Sequence, residues 1–343
     1  VLDAHQLKMY LRKIAMKHIE GTFPGAGGLN LYYQSWTSQA HPKAIIAIVH
    51  GLGAHGGLFF NAVQYLVDRS YGVYAFDLRG HGRSPGQRGH IEHWAEFRED
   101  LHAFLHLIRE QEPNCPCFLW GHSLGGAIAL DYALRFSEGL QGVIVTSPAI
   151  GKVGVSPWKM AIGRMLSRVY PRFSLKLGLD RYASSRDLHA ISIFLQDPLR
   201  HEYASARLAT EFLEAVDWIQ SHVLDLRLPL LVLHGSEDRV AHPDSSWAFC
   251  LQVTFPDKEC YELPGSYHDL HADINRDEIL ADLEEWLDRH LPGAIDHQPL
   301  ALCASKLPTY KDSQHVWRQE KGKTEPKKRK LFLLPSFLLM RRL

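Results

Sequence analysis

Short runs of β-branched and aromatic residues alternate with longer amphipathic stretches along most of this chain, and that rhythm leaves few architectures open. AIIAIVH (44–50), GVYAFD (72–77), CFLWG (117–121), GVIVTSP (142–148) and LPLLVLHG (228–235) are apolar throughout, as strands covered on both faces must be. LNLYYQSW (29–36) has the composition of an exposed or edge strand, and KECYEL (258–263) is a shorter, later one. Helix-period stretches fill the intervals at 58–70, 94–111, 124–136, 243–253 and 275–291. Such alternation predicts an α/β fold with a mostly parallel sheet and helices on both faces.

The rhythm breaks once. From Gly151 to about Arg227 no convincing strand occurs, yet PWKMAIGRMLSRVY and ASARLATEFLEAVDWIQSHV have helical period. Helices inserted after the strand that ends at Pro148 would lie over the carboxyl ends of the sheet, where ligands bind in open α/β folds, so the segment reads as a cap. The expected organisation is an N-terminal extension (1–17), one domain (18–292) with the cap at about 151–227, and a C-terminal tail (293–343).

Gly121-His122-Ser123-Leu124-Gly125 fits G-x-S-x-G, with apolar CFLW before it and a helix-forming run after it. A sharp strand-to-helix turn strains the serine backbone and leaves no room for side chains at the flanking glycines, a surface that Gly126 extends. A Gly-rich helix entry would share the pentapeptide but not its setting. A serine hydroxyl attacks a carbonyl only when a base takes its proton, and imidazole has a pKa suited to that task near neutrality. Where this turn occurs, the acid and then the histidine follow the serine, on loops after late strands. Asp238 in HGSEDRV, after LPLLVLHG, and His268 in LPGSYHDL, after KECYEL, stand in those places.

Competitors stay open at both positions. Among 21 histidines, His271 is the nearest alternative, although the Pro264-Gly265 turn puts His268 at the loop apex and His271 toward the next helix. Glu237 and Asp244 compete with Asp238, Asp244 reading also as a helix N-cap after Pro243. A tetrahedral intermediate would need backbone N–H donors. Leu124, at a helix N-terminus, and Leu52, in the turn His50-Gly51-Leu52-Gly53 after the strand AIIAIV, can supply them.

Six segments together resemble the monoacylglycerol lipase and lysophospholipase (serine hydrolase, S33-like) branch of the α/β-hydrolases. HGLGAHGGLF (50–59) is similar to its H-G-x-G-x-H segment, FDLRGHGRSPGQRGHI (76–91) to its D-x-x-G-H-G-x-S-x-G loop, and GHSLGG (121–126) to its nucleophile elbow. GSEDRV and GSYHDL match its acid and histidine segments, and QDPLRH (196–201) its D-P-L signature. The resemblance runs in order through about 18–291. It implies the α/β-hydrolase fold, the triad Ser123, Asp238 and His268, and oxyanion donors at Leu52 and Leu124. It further implies a helical cap lining an apolar acyl channel and single-chain glycerolipid esters as substrates. One departure is His55 followed by Gly56-Gly57, which raises the glycine content of that loop.

No metal or organic cofactor is expected, since this chemistry needs none and Cys115-Pro-Cys117 has the wrong spacing for a zinc knuckle. An acyltransferase using the same acyl-enzyme, an S33-like peptidase and a small-ester esterase share the machinery. Dehalogenases and epoxide hydrolases of this fold need a carboxylate where Ser123 stands. A binding protein retaining the fold would be expected to carry a broken triad.

Composition adds limits. Of the 343 residues 45% are hydrophobic and 22% charged, which fits one globular enzyme domain with some extra sequence. Lys plus Arg and Asp plus Glu each total 38, so no overall field favours nucleic acid. The balance hides a basic tail, with eleven Lys or Arg against four Asp or Glu from residue 293 onward. In that tail KKRK (327–330) precedes the apolar LFLLPSFLLM (331–340), too short to span a bilayer but of a kind that could touch an anionic lipid surface. A disordered extension is the preferred reading, because Pro335 interrupts any helix there. Five scattered cysteines and no apolar leader in the first 20 residues predict reduced thiols and a cytoplasmic location.

Overall fold

The computed structural model describes residues 16–38, 41–151, 157–178 and 180–293. Nearly all of the expected N-terminal extension and of the tail, with Cys303, KKRK and the apolar decamer, lies outside the described residues.

The main sheet contains β1 (Lys17–Pro24), β2 (Asn30–Thr37), β3 (Ile45–Val49), β4 (Gly72–Phe76), β5 (Cys117–His122), β6 (Gly142–Thr146), β9 (Leu230–Gly235) and β10 (Lys258–Leu263). Their spatial order is β1-β2-β4-β3-β5-β6-β9-β10. All neighbours run parallel except β1 with β2 and β2 with β4. Helices α1 (Phe60–Val67), α2 (Ala95–Gln111), α3 (Leu124–Arg135), α7 (Pro243–Gln252) and α8 (Arg276–Arg289) flank it.

Alternate residues of each central strand enter different cores, as the two-residue period of a strand dictates. Ile45, Ala47, Val49, Leu119 and Val143 pack with Phe97, Leu101 and Phe104 of α2 and with Ala127 and Leu130 of α3. Ile46, Ile48, Phe118, Trp120 and Ile144 pack with Val63 and Leu66 of α1 and with Leu283 and Trp286 of α8. Each fully buried Val, Leu, Ile or Phe among them is worth about 1.5–3 kcal/mol. Together they fix the carboxyl ends of the strands, from which the loops of the site emerge.

The intervening segment carries α4 (Pro157–Val169), β7 (Ser174–Lys176), α5 (Leu188–Gln196), β8 (Tyr203–Ser205) and α6 (Ala206–Ser221). It is seated on the loops beyond the carboxyl ends of the sheet by backbone hydrogen bonds. These run from His201 to Gly53 (3.1 Å), from Ser205 to Gly89 (2.8 Å) and from Asp269 to Ser184 (2.6 Å). Side-chain caps start two of its helices: Asp187 accepts from His189 and Ala190, and Ser205 accepts from Leu208.

Several local expectations are corrected. LNLYYQSW forms β2, which is second in the sheet; the edge on that side is β1, whose only residue in the core is Phe23, so no alternation marks it. The interval expected to hold no strand contains β7 and β8, an antiparallel pair of three-residue strands too short to show a period. Asp244 lies in the first turn of α7 instead of capping it, because Pro243 already begins the helix. Cys250 of α7 and Cys260 of β10 form a disulfide (Cα–Cα 6.5 Å), against the expectation of reduced thiols, because α7 packs beside β10. Cys115 and Cys117 are free. No helix among the described residues is long and apolar enough to cross a membrane.

Candidate active site

Ser123 stands between β5 and α3 with φ 55° and ψ −119°, a conformation that costs a residue with a Cβ on the order of 1–3 kcal/mol. Its amide donates to the Thr146 carbonyl (3.1 Å), and its carbonyl accepts from Gly126 (2.9 Å) and Ala149 (3.0 Å), so β6 with the loop after it and the first turn of α3 hold the serine. The flanking glycines are sterically required. A Cβ at Gly121 would lie 2.3 Å from the Gly125 carbonyl oxygen, and one at Gly125 would lie 2.1 Å from that of Val49.

Asp238 leaves the end of β9 and is buried, while its competitors Glu237 and Asp244 are exposed. Its Oδ2 accepts from Nδ1 of His268 at 2.7 Å. Its Oδ1 accepts from the amides of Val240 (2.7 Å) and Ala241 (3.0 Å). A second imidazole, His234, directs Nε2 to Oδ2 at 3.1 Å and is itself held through Nδ1 by Ser246 at 2.7 Å. Burial opposes the charged form of Asp238, but the two histidines and their hydrogen bonds outweigh it and hold the carboxyl well below its usual range. Burial likewise opposes imidazolium at His268, yet the Asp238 carboxylate wins and raises that histidine above its ordinary value.

The histidine competitor goes elsewhere. His271 lies in a short 3-10 turn (Leu270–Ala272) and stacks on Phe59 with ring centroids 4.1 Å apart. Burial and the neighbouring His122 push it down to about 3, so it is neutral. His122 directs Nε2 to Asp269 (2.9 Å) and Nδ1 toward Thr146. Donor atoms of His122, His268 and Asp269 come within 4.8 Å of one another, the only such group among the described residues that could hold a metal ion. The side-chain hydrogen bonds of these three already pair His122 with Asp269 and His268 with Asp238.

The turn after β3 is fixed by His50. The Leu78 amide donates to its Nε2 (2.9 Å), so Nδ1 carries the proton and donates to the Gly51 carbonyl (2.8 Å); burial lowers the pKa to about 3 and keeps the ring neutral. A Cβ on Gly51 would come within 3.0 Å of the Ser123 Cβ, so the turn passes directly over the serine. Among the described residues neither the Leu52 nor the Leu124 amide meets an acceptor. Farther along the turn, the Gly57 amide donates to Nδ1 of His55 (3.2 Å), and His55 Nε2 donates to Asp197 (2.7 Å) in the segment above. His55 thus links this loop to the D-P-L turn.

Leu52, Ser123, Leu124, His268 and His271 all border one cavity of about 670 Å³. Leu58, Phe59, Ile191, Phe194, Leu208, Phe212 and Leu213 make most of its wall apolar. Among the described residues Arg200 is the one arginine or lysine on this wall; its guanidinium sits over the Phe194 ring at 4.6 Å.

The sequence named Ser123, Asp238 and His268 and the two amides; the fold brings Ser123, His268, Leu52 and Leu124 to this cavity, and Asp238 to His268. It missed His234, Asp269 and the His55–Asp197 pair. No local pattern separates His234 from the other histidines, and Asp269 was visible only as the residue after His268.

The chain is also similar to known proteins in sequence and fold. The family model described as serine aminopeptidase, S33, matches residues 40–275. A monoacylglycerol lipase of Mycolicibacterium smegmatis is 30% identical over 274 residues, 79% of this chain and 98% of that protein. A monoglyceride lipase of Rattus norvegicus is 31% identical over 276 residues, 78% of this chain and 90% of the relative. The crystal structure of Paleococcus ferrophilus monoacylglycerol lipase superposes with a TM-score of 0.68 at 29% identity, covering 80% of this chain and 99% of the other. The chain belongs to the serine aminopeptidase S33 family; it is a serine hydrolase with the α/β-hydrolase fold.

Proposed function

We propose that this S33-family chain hydrolyses single-chain acyl glycerolipids, with Ser123 as nucleophile, His268 as general base and acid, and Asp238 as the group that orients and stabilises the imidazolium. The observation that carries the reading is the buried 2.7 Å bond from Nδ1 of His268 to Asp238, which leaves Nε2 as the free nitrogen of a base bordering the same cavity as Ser123. In the first half-reaction the Ser123 oxygen attacks the ester carbonyl carbon and its proton passes to Nε2. The resulting oxyanion accepts from the Leu52 and Leu124 amides, and the proton then goes to the departing alkoxide as the carbon–oxygen bond breaks. Water repeats the sequence on the acyl-enzyme, releasing fatty acid and free serine.

The substrate class rests on the mostly apolar cavity of about 670 Å³ and on the monoacylglycerol lipases among the relatives. The segment at about 151–227 acts as the cap. Its helix α4 carries Trp158, Ile162, Met165 and Val169 on one exposed stripe, suited to contact a lipid surface from which a single-chain ester could enter. Arg200 favours a second reading within the same class, a lysophospholipid whose phosphate meets the guanidinium.

A fluorophosphonate probe should label the wild type and leave Ser123→Ala unlabelled; equal labelling of both would refute the assignment. Monooleoylglycerol, lysophosphatidylcholine, lysophosphatidic acid and aminoacyl amides, assayed side by side, separate the readings. If Arg200→Gln lowers turnover of lysophosphatidic acid while sparing monooleoylglycerol, the phosphate reading gains. A chain active only on the amides would remove the lipid reading altogether. With excess glycerol present, fatty acid as the only product would exclude acyl transfer.

A further inference from the structure

Helix α5 is tied at both ends to loops of the site. Before its N-terminus, the Ser184 carbonyl accepts from the Asp269 amide (2.6 Å) and Ser185 Oγ donates to the Ala272 carbonyl (2.9 Å). Arg186 then closes a tighter knot. Its Nε reaches both oxygens of Asp273 (2.9 and 3.2 Å), its backbone amide donates to Oδ1 (2.8 Å), and Nη2 donates to Asn275 (2.7 Å). The Asp273 side chain is fully buried and also accepts from the Tyr267 amide at 3.0 Å. The amides on either side of His268 are therefore both held, one by Asp273 under Arg186 and the other by Ser184. Arg276 adds a bond to Asp187, the N-cap of the helix (2.8 Å).

The C-terminal end of α5 meets the opposite loop. Asp197 accepts from Nε2 of His55 at 2.7 Å and is oriented through its other oxygen by the Leu199 amide at 2.8 Å. The His201 amide donates to the Gly53 carbonyl, and Gly53, at φ +69°, is so close that a Cβ there would lie 1.8 Å from the His201 oxygen. Between these ends, Ile191, Phe194 and Leu195 face the cavity.

We propose that α5 is a strut between the histidine loop and the Leu52 turn, with Arg186 and Asp197 as positioning residues that hold His268 and the Leu52 amide in reacting geometry from opposite ends. The proposal rests on the assignment of Ser123, His268 and Leu52 made above. Nη2 of Arg186 also lies 2.9 Å from Asp273 Oδ2, and two guanidinium nitrogens on a buried carboxylate fix orientation as well as distance; an error near 1 Å in a reacting group can cost about 10²-fold in rate. Contacts along the acyl chain at Phe194 and Leu195 therefore bear on the same element that spaces the base and the oxyanion donors.

The test measures kcat, KM and the pH profile with a p-nitrophenyl ester for Arg186→Gln, Arg186→Lys and Asp197→Asn, alongside the rate of fluorophosphonate labelling and thermal unfolding. Arg186→Gln should lower kcat by about 10- to 100-fold with KM within about 3-fold, and move the acid limb downward as His268 loses its fixed place beside Asp238. Arg186→Lys, which keeps the charge but not the fork, should recover part of kcat and stands in if the glutamine variant does not fold. Asp197→Asn should lower kcat and leave the acid limb in place, since it acts on the oxyanion side. A folded Arg186→Gln or Arg186→Lys with wild-type kcat and acid limb, lowered only in melting temperature, overturns the strut. So does an Asp197→Asn acid-limb shift equal to that of Arg186→Gln. A wild type that resists the probe would instead bring down the catalytic assignment.

Discussion

In the sheet-bearing body, β3, β5 and β6 send alternate side chains into two cores and are buried along their whole length. Between β6 and β9 the same residue types face outward: Trp158 is 61% exposed, Leu188 72% and Val169 80%. The body spends its apolar residues on rigidity, and the segment above it holds its place through a few anchors at Gly53, Gly89, Ser184 and Asp273. Ser123, the proposed nucleophile, is strained at φ 55° and needs the first kind of construction, because only a close-packed surround can keep a residue in a sparsely populated backbone region. A wall that admits a flexible chain is better served by the second, with a stable frame below and an adaptable surface above.

The contrast can be broken first at its chemical centre. Ser123→Ala should cut kcat/KM for a p-nitrophenyl ester by about 10⁴-fold or more, with circular dichroism and the melting temperature unchanged. A loss under tenfold would move the nucleophile elsewhere.

Stability measurements sharpen it next. Leu119→Ala, in the body core, should cost about 2–5 kcal/mol in denaturant unfolding, whereas Ile162→Ser on α4 should stay within about 0.5 kcal/mol. The same Ile162→Ser should weaken binding to phosphatidylcholine vesicles, which would be unaffected if the α4 stripe does not meet lipid.

The joint between the two regions is the third target. Gly53→Ala puts a Cβ where the His201 carbonyl stands and should lower kcat by about 10²-fold by displacing the Leu52 turn. Gly163→Ala, in α4 with no atom within 4 Å of the new Cβ, should instead stabilise the fold by about 0.5–1 kcal/mol and leave kcat unchanged.

The smallest effect is on pH. In the proposed mechanism His268 must be neutral to accept the serine proton, and Asp238 raises its pKa, so activity should fall with acid through a limb above the ordinary histidine value of about 6.5. The same raised pKa stabilises the fold below that ordinary value and the contribution fades as pH rises through the folded one. Asp238 has the opposite sign: its lowered pKa contributes above the usual carboxylate range and is lost as pH falls. Asp238→Asn should abolish the elevated limb.

What the sequence alone determined was local. Apolar runs and helical periods marked the central strands and their helices, because burial on one or both faces writes itself into spacing. The glycines around Ser123 marked the sharp turn because a Cβ cannot fit there, and chain order then pointed to Asp238 and His268 on two later loops, which the fold joins by a hydrogen bond. Tertiary structure alone decided the pairings: His234 against Asp238, His122 against Asp269, His55 with Asp197, Arg186 with Asp273, and Cys250 with Cys260. It also decided that a polar strand, β1, forms the edge. The physical reason is the same in each case. A polar or thiol side chain finds its partner by direction and distance once the backbone is folded, and residues 142 or 147 positions apart, as in two of these pairs, leave no periodic trace of that meeting.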